Sequence, residues 1–118
     1  MLRTMLKSKI HRARVTGACV DYEGSVTIDA ALLEAADIME YEQVHIYNVS
    51  NGERFATYAI VGEPNGGEIC LNGAAARKVS VNDLVIICSY VVMDNADCKG
   101  HKSKNVYVDR DNHMVKKG

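Results

Sequence analysis

The sequence predicts one mainly β domain, a small β-barrel or sandwich that also contains two or three short helices. Three observations predict this class: many short runs of apolar and β-branched residues, tight-turn signals between these runs, and helical patterns no longer than about two turns. The chain has 118 residues, a length typical of a single domain with a small hydrophobic core. No linker or internal repeat divides it, so we expect residues 1–118 to form one unit.

The first part of the chain predicts two strands and a helix. Apolar and polar residues roughly alternate over 4–15, with basic side chains among the polar ones, which predicts a strand with one charged face. The run "VTI" (26–28) predicts a second strand. Asp29 is a suitable N-cap for the helix "AALLEAA", because its carboxylate can accept from free N–H groups of the first turn. The helix side chains expected to face inward are Leu32, Leu33 and Ala36.

A β-hairpin is predicted in the middle of the chain. The runs "QVHIYNV" (43–49) and "RFATYAIV" (54–61) flank the residues "SNGE". Asn51-Gly52 is a strong signal for a type I′ turn, whose two central residues both need a positive φ. We therefore expect two antiparallel strands joined at Asn51 and Gly52.

Residues 63–93 predict two further strands and a short helix. The segment "EPNGGE" (63–68) is typical of a loop, and "ICL" (69–71) is typical of a strand. The segment "NGAAARKV" (72–79) predicts a turn that leads into a short helix. The segment "SVNDLVIICSYVVM" (80–93) predicts a turn followed by the most apolar strand of the chain.

The last part of the chain is more polar. The segment "DNADCKGHKSK" (94–104) predicts a polar, mobile connection. The run "NVYVD" (105–109) predicts the last strand, and the tail that follows it is basic.

Composition and charge exclude several classes of function. The net charge of −1 at pH 7 provides no global field that would favour nucleic acid or an anionic membrane. No apolar run approaches the ~20 residues of a membrane-spanning helix, and the basic N-terminus lacks the apolar region of a secretory signal. The cysteines and histidines show no metal-binding spacing, so we expect no metal site. These residues are Cys19, Cys70, Cys88, Cys98, His11, His45, His101 and His113. We expect the thiols to be reduced and the protein to be cytoplasmic.

Basic residues repeat along the first predicted strand, although the chain lacks every familiar catalytic motif. It has no nucleophile elbow, zinc-protease motif, phosphate-binding loop or dinucleotide fingerprint. Lys7, Lys9, Arg12 and Arg14 point the same way at a period of two where the register holds. Two interpretations stay open: a solvated edge strand or an anion-binding face.

Two other groups of residues are suited to chemistry. Arg54, Thr57 and Tyr58 on the second hairpin strand offer a fixed cation, a hydroxyl and a phenol, although an ordinary amphipathic strand has the same pattern. The run "NGAAA" that begins at Asn72 has small side chains, which let a ligand approach backbone N–H groups closely. A tight turn into a helix has this pattern as well.

Five spaced blocks of sequence are more specific in combination. "MLKSKIHRA", "YEGSVTID", "NGERFATYAI", "NGAAARKV" and "NDLVII" begin at positions 5, 22, 51, 72 and 82. With these blocks the chain resembles the pyruvoyl-dependent aspartate 1-decarboxylases, carboxy-lyases that make β-alanine for pantothenate and coenzyme A synthesis. The resemblance extends from residue 1 to about 110. It implies a six-stranded double-psi β-barrel with short helices, assembled as a homotetramer with active sites between subunits.

The resemblance also implies self-cleavage of a zymogen between Gly24 and Ser25, into fragments 1–24 and 25–118. Ser25 would become a covalent pyruvoyl group, which forms a Schiff base with the amine of L-aspartate and accepts the electrons released when CO₂ leaves. Neither pyridoxal phosphate nor a metal is then needed. Some members of the family mature with an accessory protein, so a maturation partner is a further expectation.

The resemblance assigns roles to individual residues. Tyr58 is expected to donate the proton that replaces CO₂. Arg54 and Lys9 are expected to hold substrate carboxylates, because both side chains are cations. Thr57 is expected to position the Gly24 carbonyl for cleavage and later to bind the substrate. The other implied residues are Asn72 as a hydrogen-bonding group, Gly73, Ala74 and Ala75 as the pocket wall, and His11 and Tyr22 as secondary contributors.

Two positions depart from the family pattern. Asp21 and Arg77 stand where the family more often has histidine, so the resemblance implies no role for an imidazole at either place. Residues 94–104 and the tail match the family poorly, and no role is assigned to them.

Two alternatives to aspartate decarboxylation stay open at this point. The first is a non-enzymatic small β-barrel regulator that binds nucleic acid through the basic strand. The second is a pyruvoyl enzyme for another dicarboxylic amino acid, such as glutamate or cysteine sulfinate.

Overall fold

The computed structural model describes all residues from Met1 to Gly118. It contains nine strands and three short helices. The strands are β1 (Leu2–Arg14), β2 (Gly17–Cys19), β3 (Ser25–Asp29), β4 (Gln43–Asn48), β5 (Arg54–Gly62), β6 (Ile69–Asn72), β7 (Leu84–Asp94), β8 (Lys104–Val108) and β9 (Met114–Lys117). The helices are α1 (Ala30–Ala36), the 3₁₀ helix η1 (Gly73–Lys78) and α2 (Asn95–Cys98).

All nine strands join one sheet in the order β2-β6-β3-β5-β4-β7-β1-β8-β9. Strand β3 lies between β5, to which it is parallel, and β6, to which it is antiparallel. Ser25 lies opposite Asn72, and Val26 lies opposite Ala59 of β5. This arrangement brings the first residue of β3 close to the end of β6 and to the middle of β5.

The core consists of aliphatic side chains from the inner face of the sheet and from α1. Eighteen buried residues form one cluster, and α1 covers part of it. Leu32, Leu33 and Ala36 of α1 are buried, as their helical spacing predicts. The Asp29 carboxylate accepts a hydrogen bond of 2.8 Å from the Ala31 N–H, so the predicted N-cap is confirmed.

The hairpin between β4 and β5 is confirmed, but the predicted type I′ turn is wrong. Gly52 has a φ of +82°, whereas Asn51 is not among the residues with positive φ. The connection closes instead through a 2.8 Å bond from the Gly52 N–H to the Asn48 carbonyl. Asn51 Oδ1 accepts a 2.8 Å bond from the Glu53 N–H, and this local bond holds the turn without a left-handed Asn51.

Two strands were not predicted, and both lack the pattern that sequence reasoning depends on. Strand β2 has three residues and pairs in parallel with β6. Strand β9 follows β8, so the prediction that the last strand ends near residue 109 is wrong. All four residues of β9 are exposed, which removes the alternation that marks a half-buried strand. Within 94–104 the structure contains α2, capped by Asp94.

The mainly β class with a few short helices is confirmed. The expected count of six strands is not confirmed, because the sheet has nine. None of the three helices has the length and apolar character needed to cross a bilayer.

Candidate active site

Ser25 and Asn72 are joined by a side-chain hydrogen bond at the point where β3 begins and β6 ends. Asn72 Nδ2 donates to Ser25 Oγ over 2.9 Å and to Thr27 Oγ1 over 3.2 Å. Ser25 is 6% exposed and Asn72 is 7% exposed, so water competes little with these bonds. The amide therefore fixes the position of the Ser25 hydroxyl oxygen.

The Cys70 thiol orients the Asn72 amide from its other side. Cys70 Sγ donates to Asn72 Oδ1 over 3.5 Å, which turns the amide nitrogen toward Ser25. Burial raises the pKa of the Cys70 thiol, and the nearby Glu68 and Cys19 raise it further. The thiol consequently keeps its proton and remains a donor at neutral pH.

Gly73 packs directly against the backbone of Gly24. A Cβ at position 73 would lie 2.6 Å from the Gly24 nitrogen, 2.7 Å from its Cα and 2.8 Å from the Tyr22 carbonyl oxygen. Gly73 also has a φ of +66°, which side chains rarely adopt. Only glycine meets both conditions, so the segment before Ser25 rests on a position from which a side chain is excluded.

A cavity of about 400 Å³ opens beside Gly24. Thr57 and Tyr58 reach it from β5, and Ala74 and Ala75 reach it from η1. A Cβ added at Gly24 would meet no atom within 4 Å, so the side of Gly24 on which a side chain would stand is open. The full lining consists of Gly24, Phe55, Ala56, Thr57, Tyr58, Ala74, Ala75 and Lys78.

Arg54 lies outside this cavity, in a second hollow that Tyr47 and Ile86 also line. The Arg54 guanidinium stands 3.8 Å from the centre of the Tyr47 ring, a cation–π contact. The Tyr47 hydroxyl shares a hydrogen bond of 2.6 Å with the Tyr90 hydroxyl, which holds the ring beneath the guanidinium. Burial, together with this bond, raises the pKa of the Tyr90 phenol, so it stays protonated at neutral pH.

The positive charges of Lys9 and Arg54 both lower the pKa of the Cys88 thiol. Lys9 lies opposite Cys88 in the pairing of β1 with β7, and His45 lies opposite Cys88 in the pairing of β4 with β7. Burial raises the pKa of the Cys88 thiol, while the Tyr90 hydroxyl and the charges of Lys9 and Arg54 oppose that rise. Neither cation forms an ion pair within the chain. Both charges are available to an anion.

His11 and Tyr22 do not reach the Gly24 cavity with their side chains. His11 lines a separate hollow and meets the edge of the Tyr107 ring at a centroid distance of 5.6 Å. Its Nδ1 is buried without a hydrogen-bond partner. The Tyr22 side chain is 69% exposed, and only its carbonyl approaches Gly73. Asp21 and Arg77 are exposed as well.

The structure thus brings together eight of the predicted residues and leaves four elsewhere. The group around the cavity and its hydrogen bonds comprises Gly24, Ser25, Thr57, Tyr58, Asn72, Gly73, Ala74 and Ala75. The others are Lys9, His11, Tyr22 and Arg54.

Sequence reasoning missed residues that enter the site through strand register. Thr27 and Cys70 bind the two ends of the Asn72 amide, and Tyr47 supports Arg54. Phe55 and Lys78 line the cavity. No local motif marks any of them. The one available signal was the period of two that places Cys70 and Asn72 on the same face of a strand.

No group of three or more histidine, cysteine or acidic side chains is arranged to hold a metal ion. The four cysteines are free thiols, and Cys88 is the one that is buried.

Comparison with known proteins identifies the family. The family model described as aspartate decarboxylase matches residues 1–115. The aspartate 1-decarboxylase of Syntrophus aciditrophicus is 60% identical over 97% of this chain and 98% of its own length. That of Methylobacillus flagellatus is 60% identical over 97% of this chain and 90% of its own length. That of Thermoanaerobacter pseudethanolicus is 53% identical over 98% of both chains.

These matches cover almost the whole chain, and they include every block of sequence on which the resemblance was based. They favour an enzyme over a non-enzymatic regulator that binds nucleic acid. The chain is a decarboxylase that belongs to the aspartate decarboxylase family.

Proposed function

We propose that this chain converts L-aspartate into β-alanine and CO₂ with a pyruvoyl group that it makes from its own Ser25, and that the product serves pantothenate synthesis. The observation that carries the proposal is the buried 2.9 Å bond from Asn72 to Ser25 Oγ, next to Gly24, whose side-chain position is open. This arrangement fixes a hydroxyl beside a residue that lines an open cavity. A pyruvoyl group has no more heavy atoms in its side chain than serine, so it fits the space that Ser25 occupies next to the Gly24 cavity.

The cleavage begins with an attack by Ser25 Oγ on the carbonyl carbon of Gly24. The C–N bond breaks as the C–O bond forms, and the peptide becomes an ester with a free amine at residue 25. Loss of the Cα proton of residue 25 then expels the Gly24 carboxylate and leaves dehydroalanine. One water molecule replaces the amine, ammonia leaves, and the long fragment begins with a pyruvoyl group. The whole sequence consumes one water and releases one ammonia.

Three residues of the chain support this cleavage. Asn72 holds Ser25 Oγ in place, and Gly73 leaves the Gly24 backbone free to approach it. The Thr57 hydroxyl lines the same cavity as Gly24, where it can donate to the carbonyl oxygen as negative charge develops. A stabilised oxyanion lowers the barrier to forming the ester.

Substrate binding in the proposal uses the free cations. Arg54 is held over Tyr47 without a carboxylate partner, so its guanidinium can bind a carboxylate of aspartate in bidentate geometry. Lys9 contributes a second positive charge for the other carboxylate and so selects a dicarboxylic amino acid. Asn72 and the backbone of 73–75 hold the substrate on the opposite side.

The proposal places active sites between subunits of a homotetramer. Within one chain, Arg54 lines a different hollow from the one beside Gly24, and Lys9 lines neither. A neighbouring subunit that presents Lys9 and Arg54 to Gly24 and Ser25 would complete the site, and an isolated monomer would be inactive. The free thiols fit a cytoplasmic enzyme, and an accessory protein that promotes maturation is a further proposed partner.

In the proposed decarboxylation the pyruvoyl group accepts electrons and the protein donates a proton. The pyruvoyl carbonyl supplies an electron acceptor for the bond that breaks when CO₂ leaves. Tyr58 lines the cavity beside Gly24 and carries a phenolic O–H, so it can donate the proton that takes the place of CO₂ at the substrate Cα.

The Ser25→Ala variant tests the proposal. It should remain intact on a denaturing gel and release no CO₂ from labelled aspartate, because it lacks the hydroxyl oxygen that starts the cleavage. Ser103→Ala removes a hydroxyl away from the cavity and should behave like the unaltered chain. Normal CO₂ release by Ser25→Ala would refute the proposed origin of the cofactor. Turnover of glutamate and cysteine sulfinate, measured beside aspartate, tests the substrate.

A further inference from the structure

A bulge in β1 collects basic side chains on one side of the strand. Ile10 pairs with Ile87 and Ala13 pairs with Val85, so β1 has one more residue than β7 in this interval. Arg12 lies within the bulge with a φ of +59°, a conformation uncommon outside glycine. As a result His11, Arg12 and Arg14 all line the same hollow, although strict alternation would place His11 on the face opposite Arg12 and Arg14.

Hydrogen bonds between the loop that follows β8 and strand β1 bring a third arginine, Arg110, to this hollow. The Asn112 side chain accepts from the Arg14 N–H and donates to the Arg14 carbonyl, each over 2.7 Å. Arg14 Nε donates to the Arg110 carbonyl over 3.2 Å. These bonds fasten the loop that carries Arg110 beside Arg14. The hollow has a volume of about 300 Å³, and its walls are His11, Arg12, Arg14, Leu84, Tyr107, Val108, Asp109 and Arg110.

The walls of this hollow carry an excess of positive charge. None of its three arginines forms an ion pair with a carboxylate. The Asp109 carboxylate accepts from the His113 and Asp111 N–H groups, and these bonds lower its pKa, so it is ionised. Burial, followed by the charges of Lys9 and Arg12, lowers the pKa of His11, so its ring is neutral at pH 7. Three positive charges and one negative charge therefore leave a surplus of two.

Holding like charges together in a strained segment is unfavourable unless an anion compensates them. A doubly charged anion matches the surplus, and guanidinium groups bind phosphate oxygens in bidentate geometry. Leu84, Val108 and the Tyr107 ring give the same hollow an apolar side.

We propose that this hollow binds a small organic phosphate monoester, with the dianionic phosphate held by Arg12, Arg14 and Arg110 and the organic group against Leu84 and Val108. The site shares no lining residue with the cavity beside Gly24, and it is independent of the proposed decarboxylation.

Isothermal titration calorimetry of the full chain with phenyl phosphate tests the proposal. Saturable binding with a Kd of about 1 mM or tighter is expected. Arg12→Gln and Arg110→Gln should each weaken it by about tenfold or more, because each removes a charge-assisted hydrogen bond. Arg3→Gln is the control, since Arg3 lies on the same strand but binds Asn95. Benzoate, an aromatic monoanion, should bind at least about tenfold more weakly than phenyl phosphate.

Three results would overturn the proposal. The first is the absence of saturable binding to the unaltered chain. The second is unchanged binding by Arg110→Gln, a variant at an exposed loop residue that should fold normally. The third is a loss of binding in Arg54→Gln together with normal binding in Arg12→Gln and Arg110→Gln. The phosphate would then occupy the site around Arg54.

Discussion

Asn72 donates hydrogen bonds from one side-chain nitrogen to two hydroxyl oxygens, those of Ser25 at 2.9 Å and Thr27 at 3.2 Å. Both hydroxyls belong to β3, whereas Asn72 ends β6, so the antiparallel pairing of these strands creates the contact. The Ser25 hydroxyl is consequently fixed before any substrate arrives. The amide also leaves Oδ1 for the Cys70 thiol, which makes the orientation of the group unambiguous.

Asn72→Ala should slow the scission of the Gly24–Ser25 bond by about tenfold. The variant removes a hydrogen bond worth about 1 kcal/mol and leaves a buried hydroxyl without its donor. Intact-mass spectrometry over a time course measures the rate. Asn105→Ala, which alters an amide outside the cavity, should process normally. Equal rates for the two variants would show that Asn72 does not position the nucleophile.

Gly73→Ala should both destabilise the fold and impair scission. Its Cβ would lie 2.6 Å from the Gly24 nitrogen at a φ of +66°, so strain and overlap act together. The free energy of unfolding should fall by about 3 kcal/mol, as measured by urea denaturation.

Gly100→Ala separates these two effects. Gly100 has a φ of +93°, but a Cβ there would meet nothing within 4 Å. This control should lose only about 1–2 kcal/mol and should cleave normally. If Gly73→Ala loses no more stability than Gly100→Ala, the close contact with Gly24 has no energetic consequence.

Arg54→Gln should raise KM for aspartate by about ten- to hundredfold and leave self-cleavage unchanged. The guanidinium over Tyr47 is free of carboxylates and lies outside the Gly24 cavity, so the proposed function gives it a role in substrate binding and none in scission. Loss of a charge-assisted hydrogen bond costs about 1.5–3 kcal/mol. Steady-state kinetics and intact mass measure the two properties. A variant that fails to cleave would place Arg54 in maturation instead.

His11 should make the fold less stable in mild acid. Its folded pKa is lowered from 6.5 by burial first and then by Lys9 and Arg12, so the unfolded chain binds this proton more readily. The free energy of unfolding should therefore be highest above 6.5 and should fall as pH drops through 6.5 toward the folded value.

The comparison of two histidine variants isolates this effect. His11→Gln should flatten the pH dependence of the urea midpoint, whereas His113→Gln, at an exposed position, should preserve it. An unchanged slope in His11→Gln would assign the acid sensitivity to other groups.

The sequence alone was sufficient for elements whose pattern is local. The helix from Ala30 with its Asp29 cap, the hairpin and the apolar strand β7 all follow from spacing and propensity. The turn at Asn51 is not the predicted type I′ turn, because the Asn51 side chain forms a hydrogen bond that holds another conformation. Strand β9 was not predicted, because all its residues are exposed.

The resemblance to the family nominates the site residues, but their division between two hollows could not be predicted from the sequence. Five sequence blocks suggested the residues through the family. Which of these residues line the Gly24 cavity and which lie near Arg54 depends on the register between β3, β5 and β4. The parallel pairing of β3 with β5 joins segments that are far apart in the chain, so no short segment encodes its register. The same holds for Cys70, whose role depends on the neighbouring Asn72 and Ser25.

Intact-mass spectrometry of the purified, aged chain tests the central claim most directly. We expect two species: residues 1–24 with a normal carboxyl terminus, and residues 25–118 with a mass lower by one ammonia than simple hydrolysis would give. An unmodified 118-residue mass as the only species, together with CO₂ release from aspartate, would contradict the origin of the activity in Ser25.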